Sequence, residues 1–313
     1  MITFKQARVA QPARAKWLVK LSRTWPLYVM VLPALMQLAV FHYWPMYGVV
    51  IAFQNFNVGL GFARSPWVGL ANFEFLLNNP DFKNIVLNSF IIAISKIVAQ
   101  QFCAVSLALL LNEVRQKLVK RTIQTVVYLP HFLSWVVLGG ILLDMLASNG
   151  IISKLFRMAG LETPLFLGSN LWFRPTIVAT HLWKEVGWST IIYLAALTGI
   201  DPTLHEAAAI DGATRIQRVL RINLPGISTT VILLACLALG NVLNAGFEQV
   251  LTLYNPAVYA TGDILDTYIY RAGLISARYS MAGAIGLFKS AMGLILIVIA
   301  HRLAYRFSGY RIF

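Results

Sequence analysis

Residues 199–227 read GIDPTLHEAAAIDGATRIQRVLRINLPGI, a charged interruption between two apolar stretches. Asp201 is placed to cap a helix beginning at Pro202, because proline suits the first helical turn and lacks a donor that would be orphaned there. The helix runs through Glu206-Ala207-Ala208-Ala209 and stops near Asp211-Gly212, where glycine permits a left-handed turn. A second short helix follows, with Arg215, Arg218 and Arg221 three apart along one side, and Pro225 is expected to end it. The loop is therefore a helix–turn–helix lug, small-residued in the middle and charged at its rim. Its alanine triplet lets another surface approach closely. Such a lug suits docking and carries no catalytic constellation.

The chain around this loop belongs in a bilayer. Of its 313 residues, 58% are hydrophobic and 12% charged, against about 45–50% and about 25% in soluble domains. Mean hydropathy is +0.69, so a soluble enzyme and a disordered chain are both excluded. Six stretches are predicted to cross as helices, at 26–52, 87–111, 123–147, 175–198, 228–254 and 281–305. Pro33 and Pro45 interrupt the first, which predicts a kink or tilt. Its long basic lead and extended apolar run are unlike a cleaved signal peptide. Cys103 and Cys236 both fall in apolar stretches and read as small buried residues, with no metal or disulfide framework.

A net charge of +14 would suggest nucleic acid in a soluble protein. In a membrane chain it reads first as topology, since Lys and Arg gather in cytoplasmic loops. The N-terminal segment holds six, the 112–122 loop four, the 199–227 loop three and the C-terminal end three, sixteen in all. The opposite side holds seven (Arg64, Lys83, Lys154, Arg157, Arg174, Arg271 and Arg278). Both termini and the lug are thus expected in the cytoplasm. The expected organisation is a basic segment over 1–25 followed by a six-span domain over 26–313. Residues 13–24 put Trp17, Leu18 and Leu21 on one helical side and Lys16, Lys20 and Arg23 towards the other, which suits an interfacial helix. A basic anchor without fixed structure is the alternative.

The run EAAAIDGATRIQRVLRINLP resembles the signature loop of permease subunits of binding-protein-dependent ABC importers, with Glu206, Ala207, Ala208, Asp211, Gly212, Ala213, Leu224 and Pro225 in place. The stretches SPWVGLANFEFLL, YLPHFLSW, WKEVGWSTIIYLAALTGIDP and AIGLFKS resemble the branch importing sugars, especially oligosaccharides or polysaccharide fragments. The resemblance implies an all-α, six-span type I importer fold in the bacterial inner membrane. It implies a coupling helix between spans 4 and 5, formed by Glu206, Ala207, Ala208, Ala209, Asp211, Gly212, Ala213 and Arg215, seated in a cytoplasmic ATPase. It further implies two ATPase subunits carrying ATP and Mg, a second related permease subunit, an extracytoplasmic solute-binding protein docking on loops 53–86, 148–174 and 255–280, and transport by alternating access. The sequence has no Gly-Lys dipeptide and so no phosphate-cradling G-x-x-x-x-G-K-[ST] loop, which places ATP hydrolysis on a partner.

Lys96, Asp144, Lys184, Glu185, Glu248 and Lys289 fall inside the predicted spans, where ionisable side chains usually face a bundle interior or wet cavity. With His181, Trp183, Trp188, Asn241, Asn244 and Gln249 they suit a saccharide path of aromatic faces and hydrogen-bonding groups. Lys184, Trp188, Asn241, Asn244, Glu248 and Lys289 are its candidates. The competing reading pairs Glu248 with Lys184 or Lys289 merely to hold helices together. Three intramembrane lysines would favour an anionic saccharide such as a uronate oligomer, unless Asp144, Glu185 and Glu248 neutralise them. The aromatic 53–86 loop reads either as a small ordered cap or as interfacial anchoring. Other classes remain: an ABC permease for a non-sugar solute, a gradient-driven carrier, for which no internal repeat is visible, and a membrane enzyme, which lacks a catalytic cluster.

Overall fold

The computed structural model describes the backbone of residues 13–240 and 242–308, and the side chains of 24–240 and 242–302. Apart from one isolated bridge between Gln54 and Trp67, the regular structure among the described residues is helical. The chain divides into two units, Met1–Ile51 and Ala52–Phe313.

In the first unit a single helix covers Ala13–Leu38, with Pro26 and Pro33 inside it. Backbone 13–24 is helical and continuous with the apolar run, while the face on which Trp17, Leu18 and Leu21 lie falls outside the described side chains. Ahead of Pro45 the helix widens into a π-turn at Ala39–Tyr43, with the Trp44 N–H donating to the Ala39 carbonyl. A proline ring clashes with the carbonyl four residues back, and a wider turn relieves that clash.

The second unit is built on two long helices lying side by side, Pro80–Glu113 and Asn170–Thr198. Towards one end Ile85, Ile92 and Ala93 share a core with Phe173 and Ile177. Towards the other, Ala104 and Ala108 meet Tyr193, Leu194 and Leu197; small residues there let the backbones approach closely. Ser228–Gly240 packs along Tyr279–Ser308. The Phe82 and Phe288 rings, 5.2 Å apart, tie the last helix to Pro80–Glu113.

Among the described residues four helical runs are long and apolar enough to cross a bilayer: Thr24–Phe53, Pro80–Glu113, Trp135–Met158 and Tyr279–Arg302. The bent pair Arg215–Gly226 and Ser228–Gly240 makes a fifth. Asn170–Thr198 has the length, at 29 residues, but Arg174, His181, Lys184 and Glu185 lower its apolarity.

Three expectations are corrected. The stretch 123–147 is not one helix: Lys117–Tyr128 gives way to a 3-10 turn at Leu129–Phe132 containing Pro130, and Ser134 then caps Trp135–Leu146. The stretch 228–254 is broken between Gly240 and Phe247, where Gly246 has φ +90°, a left-handed conformation that a side chain would strain. Pro225 does not end the arginine-bearing helix. A second π-turn, Val219–Asn223, accommodates it, helix resumes over Leu224–Gly226, and the chain bends by 54° only there. Thus the same device precedes Pro45 and Pro225.

The 53–86 loop is an ordered cap. The Asn72 amide donates to the Ala52 and Gln54 carbonyls at 2.8 and 3.1 Å. Phe53 meets Phe73 at 5.4 Å, and Phe56 lies between Phe62 and Tyr279.

Candidate functional site

The lug forms as its residues dictate. The Asp201 carboxylate accepts from the Thr203 backbone N–H at 2.9 Å, and Pro202 opens the helix Pro202–Ile210. That backbone bond holds the Asp201 carboxyl below its usual range. At the far end the Ala213 N–H donates to the Ala208 carbonyl at 2.8 Å and the Gly212 N–H to the Ala209 carbonyl at 3.2 Å. This is a Schellman closure, with Gly212 at φ +75°. Thr214 starts the next turn through a reciprocal capping box with Gln217. Both sides of the turn are therefore stopped by hydrogen bonds, and the hairpin has little slack.

No residue of Pro202–Ile210 is buried. Glu206, Ala207, Ala209, Asp211, Gly212 and Arg215 are exposed, and Ala208 and Ala213 are half-buried. Ile210 is 87% exposed and Ile216, across the turn, 72%. Two exposed isoleucines thus flank the capped turn of this charged loop.

The intramembrane polar residues gather into separate groups. Lys184 is buried and its ammonium donates to the His131 carbonyl at 2.8 Å, with Glu185 at 3.3 Å and the Trp135 ring at 5.5 Å. The second Glu185 oxygen accepts from His131 Nδ1 at 2.8 Å, which assigns the proton to that nitrogen. The His131 ring is stacked on Trp188, centroids 4.6 Å apart and planes 7° apart. Trp188 keeps 47% of its surface exposed. The result is an indole face held rigid from behind by a charged network.

A second group joins Lys289 to Asn244 at 2.7 Å and to Asp266 at 2.6 Å. A third is buried between helices. Lys96 donates to the Ala245 carbonyl at 2.6 Å, beside the Gly246 break, and Gln249 donates to the Ile177 carbonyl and Thr180 hydroxyl, each at 2.8 Å. Nearby, the Gln100 carbonyl accepts from His181 at 2.6 Å while its amide donates to Ser189 at 2.6 Å.

The structure thus brings Lys184 together with Trp188, and Asn244 with Lys289. Asn241 lies outside the described residues. Neither expected pairing of Glu248 forms: it is exposed, Lys184 takes Glu185, and Lys289 takes Asp266. The physical reason is the break at Gly246, which restarts the helix and removes the register on which those pairings depended. Two organising residues, His131 and Asp266, were not among the sequence candidates. The fragment YLPHFLSW contains His131 but gives no sign that its ring reaches Glu185, 54 positions on. Asp266 read as a loop residue.

The pairing also bears on substrate charge. Lys184 and Lys289 both have carboxylate partners, and Lys96 is buried on a carbonyl. Three lysines in the spans therefore do not by themselves make an anion-selective path.

Residues 101–309 match the family model described as "Binding-protein-dependent transport system inner membrane component". The chain is 42% identical over 296 residues to the polygalacturonan/rhamnogalacturonan transport system permease protein YteP of Bacillus subtilis (strain 168), covering 94% of this chain and 92% of the relative. It is also 42% identical to protein LplB of the same organism, over 95% of this chain and 94% of that one. Among solved structures it resembles a chain of a bacterial ABC transporter involved in the import of the acidic polysaccharide alginate, with TM-score 0.87 and 36% identity over 94% of this chain and 99% of that chain. The bacterial alginate ABC transporter in complex with an alginate pentasaccharide-bound periplasmic protein gives TM-score 0.86 at 35% identity, over 94% and 98%.

Proposed function

Because the chain belongs to the family of binding-protein-dependent transport system inner membrane components, we propose that it is the permease subunit of an ABC importer moving an acidic oligosaccharide into the cytoplasm by alternating access. The observation that carries the substrate is the likeness, over nearly the whole chain, to permeases named for polygalacturonan/rhamnogalacturonan and for the acidic polysaccharide alginate.

The proposed architecture has six spans, counting Asn170–Thr198 with the five apolar runs, and both termini in the cytoplasm, on the balance of Lys and Arg. Residues 1–25 serve as the basic lead of a domain covering 26–313. The lug is the coupling helix: Glu206, Ala207, Ala208, Ala209, Asp211, Gly212, Ala213 and Arg215 seat in a cytoplasmic ATPase that holds ATP and Mg. That no residue of Pro202–Ile210 is buried and that the turn is capped on both sides support that role, since a lever that transmits motion must be stiff and covered by a partner. A related permease subunit completes the path, and a solute-binding protein delivers the sugar to loops 53–86, 148–174 and 255–280. The solved relative bound to a periplasmic protein supports this arrangement. Within the path, the Trp188 face offers a sugar a stacking surface, and Asn244 and Lys289 offer hydrogen bonds. Asn241 and Glu248 are assigned to the same path on their sequence positions.

The test is ATP-dependent uptake by the complete transporter in proteoliposomes, comparing oligogalacturonate with a neutral galacto-oligosaccharide of equal length. Uptake of the uronate alone is the expected result. Uptake of the neutral sugar alone would overturn the substrate assignment.

A further inference from the structure

Between the Trp135–Leu146 helix and the first turns of Asn170–Thr198 lies a cavity of about 350 Å³, lined by apolar side chains including Leu142, Met145, Phe156, Trp172, Ala179 and Trp183. A methylene group takes about the volume of a water molecule, about 30 Å³, so the cavity has room for roughly a dozen. None of the path candidates lines it. It lies beside the end of one apolar helix and the start of another, with Trp172 exposed near the first turn of Asn170–Thr198 and Trp183 about three turns deeper along the same helix. An exposed tryptophan at a helix end is characteristic of the level where acyl chains meet headgroups.

A second cavity, of about 360 Å³, adjoins the first and shares Leu146 and Phe166 with it. Its wall is different in chemistry: Arg157, Ser148, Thr163 and Asn255 contribute. Arg157 is exposed and has no ion-pair partner among the described residues. It sits on the short helix Ile151–Met158, which presents Lys154 and Arg157 together with exposed Ile151, Leu155 and Met158. A helix with bare apolar residues and two cations belongs in an interface. An apolar cavity adjoining a polar one with an exposed guanidinium suits an amphiphile with an anionic head.

We propose that these two cavities form a phospholipid site, with one acyl chain between Trp135–Leu146 and Asn170–Thr198 and the phosphate beside Arg157. The proposal rests on the preceding reading of Asn170–Thr198 and of the run that begins at Trp135 as spans; the sidedness decides only which leaflet supplies the lipid. The charge of the head is set by Arg157, and the tail is selected by the cavity walls. A bound lipid there would fill the space beside Thr180, and so reach the Gln249–Thr180 contact that fastens the broken helix to Asn170–Thr198.

The test is native mass spectrometry of the assembled transporter, delipidated in detergent and then given phosphatidylglycerol or, separately, diacylglycerol with the same chains. The wild type should retain one phosphatidylglycerol per copy of this chain. Ala179→Trp, which fills the cavity from an exposed position, should retain it about tenfold less, the loss expected from excluding about two methylenes. Arg157→Gln should lose phosphatidylglycerol yet hold diacylglycerol as the wild type does. Equal retention by the wild type and Ala179→Trp would overturn the site. Equal loss of both lipids in Arg157→Gln would overturn the phosphate assignment. Dissociation of the complex by Ala179→Trp would mean that a partner subunit fills the cavity, which also overturns the proposal. The readout involves no sugar, so failure of the substrate assignment leaves it untouched.

Discussion

The 199–227 loop and the polar groups on Asn170–Thr198 are both built from charged and hydrogen-bonding side chains, and they are organised in opposite ways. In the loop every defining bond spans a few residues: Asp201 to Thr203, Ala213 to Ala208, Thr214 to Gln217. Most of the side chains around its turn, Glu206, Asp211 and Arg215 among them, are exposed. Along Asn170–Thr198 the defining bonds reach 53 and 54 positions back, to His131, and almost nothing is left unpaired. One region holds itself together by local bonds and leaves its rim exposed. The other is held by distant parts of the chain, and its internal pairing leaves little free apart from the Trp188 face.

That contrast can be broken most directly at Gly212. A β-branched residue at φ +75° is strained, so Gly212→Val should distort the closure and reduce ATP-driven uptake by about tenfold or more, with normal insertion in the membrane. Glu206→Leu, which alters only the docking rim, should act in the same direction. Normal uptake by both variants would remove the loop from the mechanism.

Next in size is Glu185→Gln. It takes the carboxylate from His131 and Lys184 together and leaves a buried ammonium with a carbonyl and an indole. Removing one partner of a buried pair costs about 3–5 kcal/mol; Glu185 is partly exposed, so about 1–2 kcal/mol is expected here. A lowered melting temperature and weaker uptake should accompany it, whereas Glu248→Gln should leave the melting temperature unchanged. Equal destabilisation by the two would contradict the pairing described.

Lys289 and Asp266 sharpen the same point more gently. Either Lys289→Met or Asp266→Asn should cost about 1 kcal/mol at this half-buried pair, and the double variant should cost less than the sum of the two. Additive losses would show that the two do not interact. If Lys289 also contacts sugar, the single variant should raise KM for the uronate oligomer more than for a neutral one.

The smallest effect is expected at Asp201, which is fully solvent-exposed. Its carboxyl is held low by the Thr203 N–H, so the cap is complete above the ordinary Asp range, about pH 4, and weakens only as pH falls through the lowered value. Uptake should therefore show no step from this group between about pH 5 and 8. Asp201→Ala should speed amide exchange at Thr203 without abolishing transport; unchanged exchange would mean that the cap does not hold in solution.

The division between what could and could not be read from sequence follows the range of the interactions. The membrane class, the helical runs and the lug were legible because each depends on composition or on bonds within a turn or two: the cap at Asp201, the glycine closure at Gly212, the small Ala207-Ala208-Ala209 run. Periodic apolarity gave no warning that 123–147 would break at Pro130 or that 228–254 would restart after Gly246, because both halves of each are equally apolar. The lysine partners were misassigned for the same reason. A charge inside a bilayer must find a partner, and sequence establishes that much. Which partner it finds depends on helix register and crossing, and these are decided by the close packing of Pro80–Glu113, Asn170–Thr198 and Tyr279–Ser308. Sequence by itself thus determined that this chain is a multi-helix membrane protein with a capped helix–turn–helix loop at 199–227. Only the tertiary structure decided that Lys184 and Glu185 both reach His131, that Lys289 pairs with Asp266, and that Trp188 keeps a face free, since those contacts join residues far apart in the chain and no local pattern encodes them.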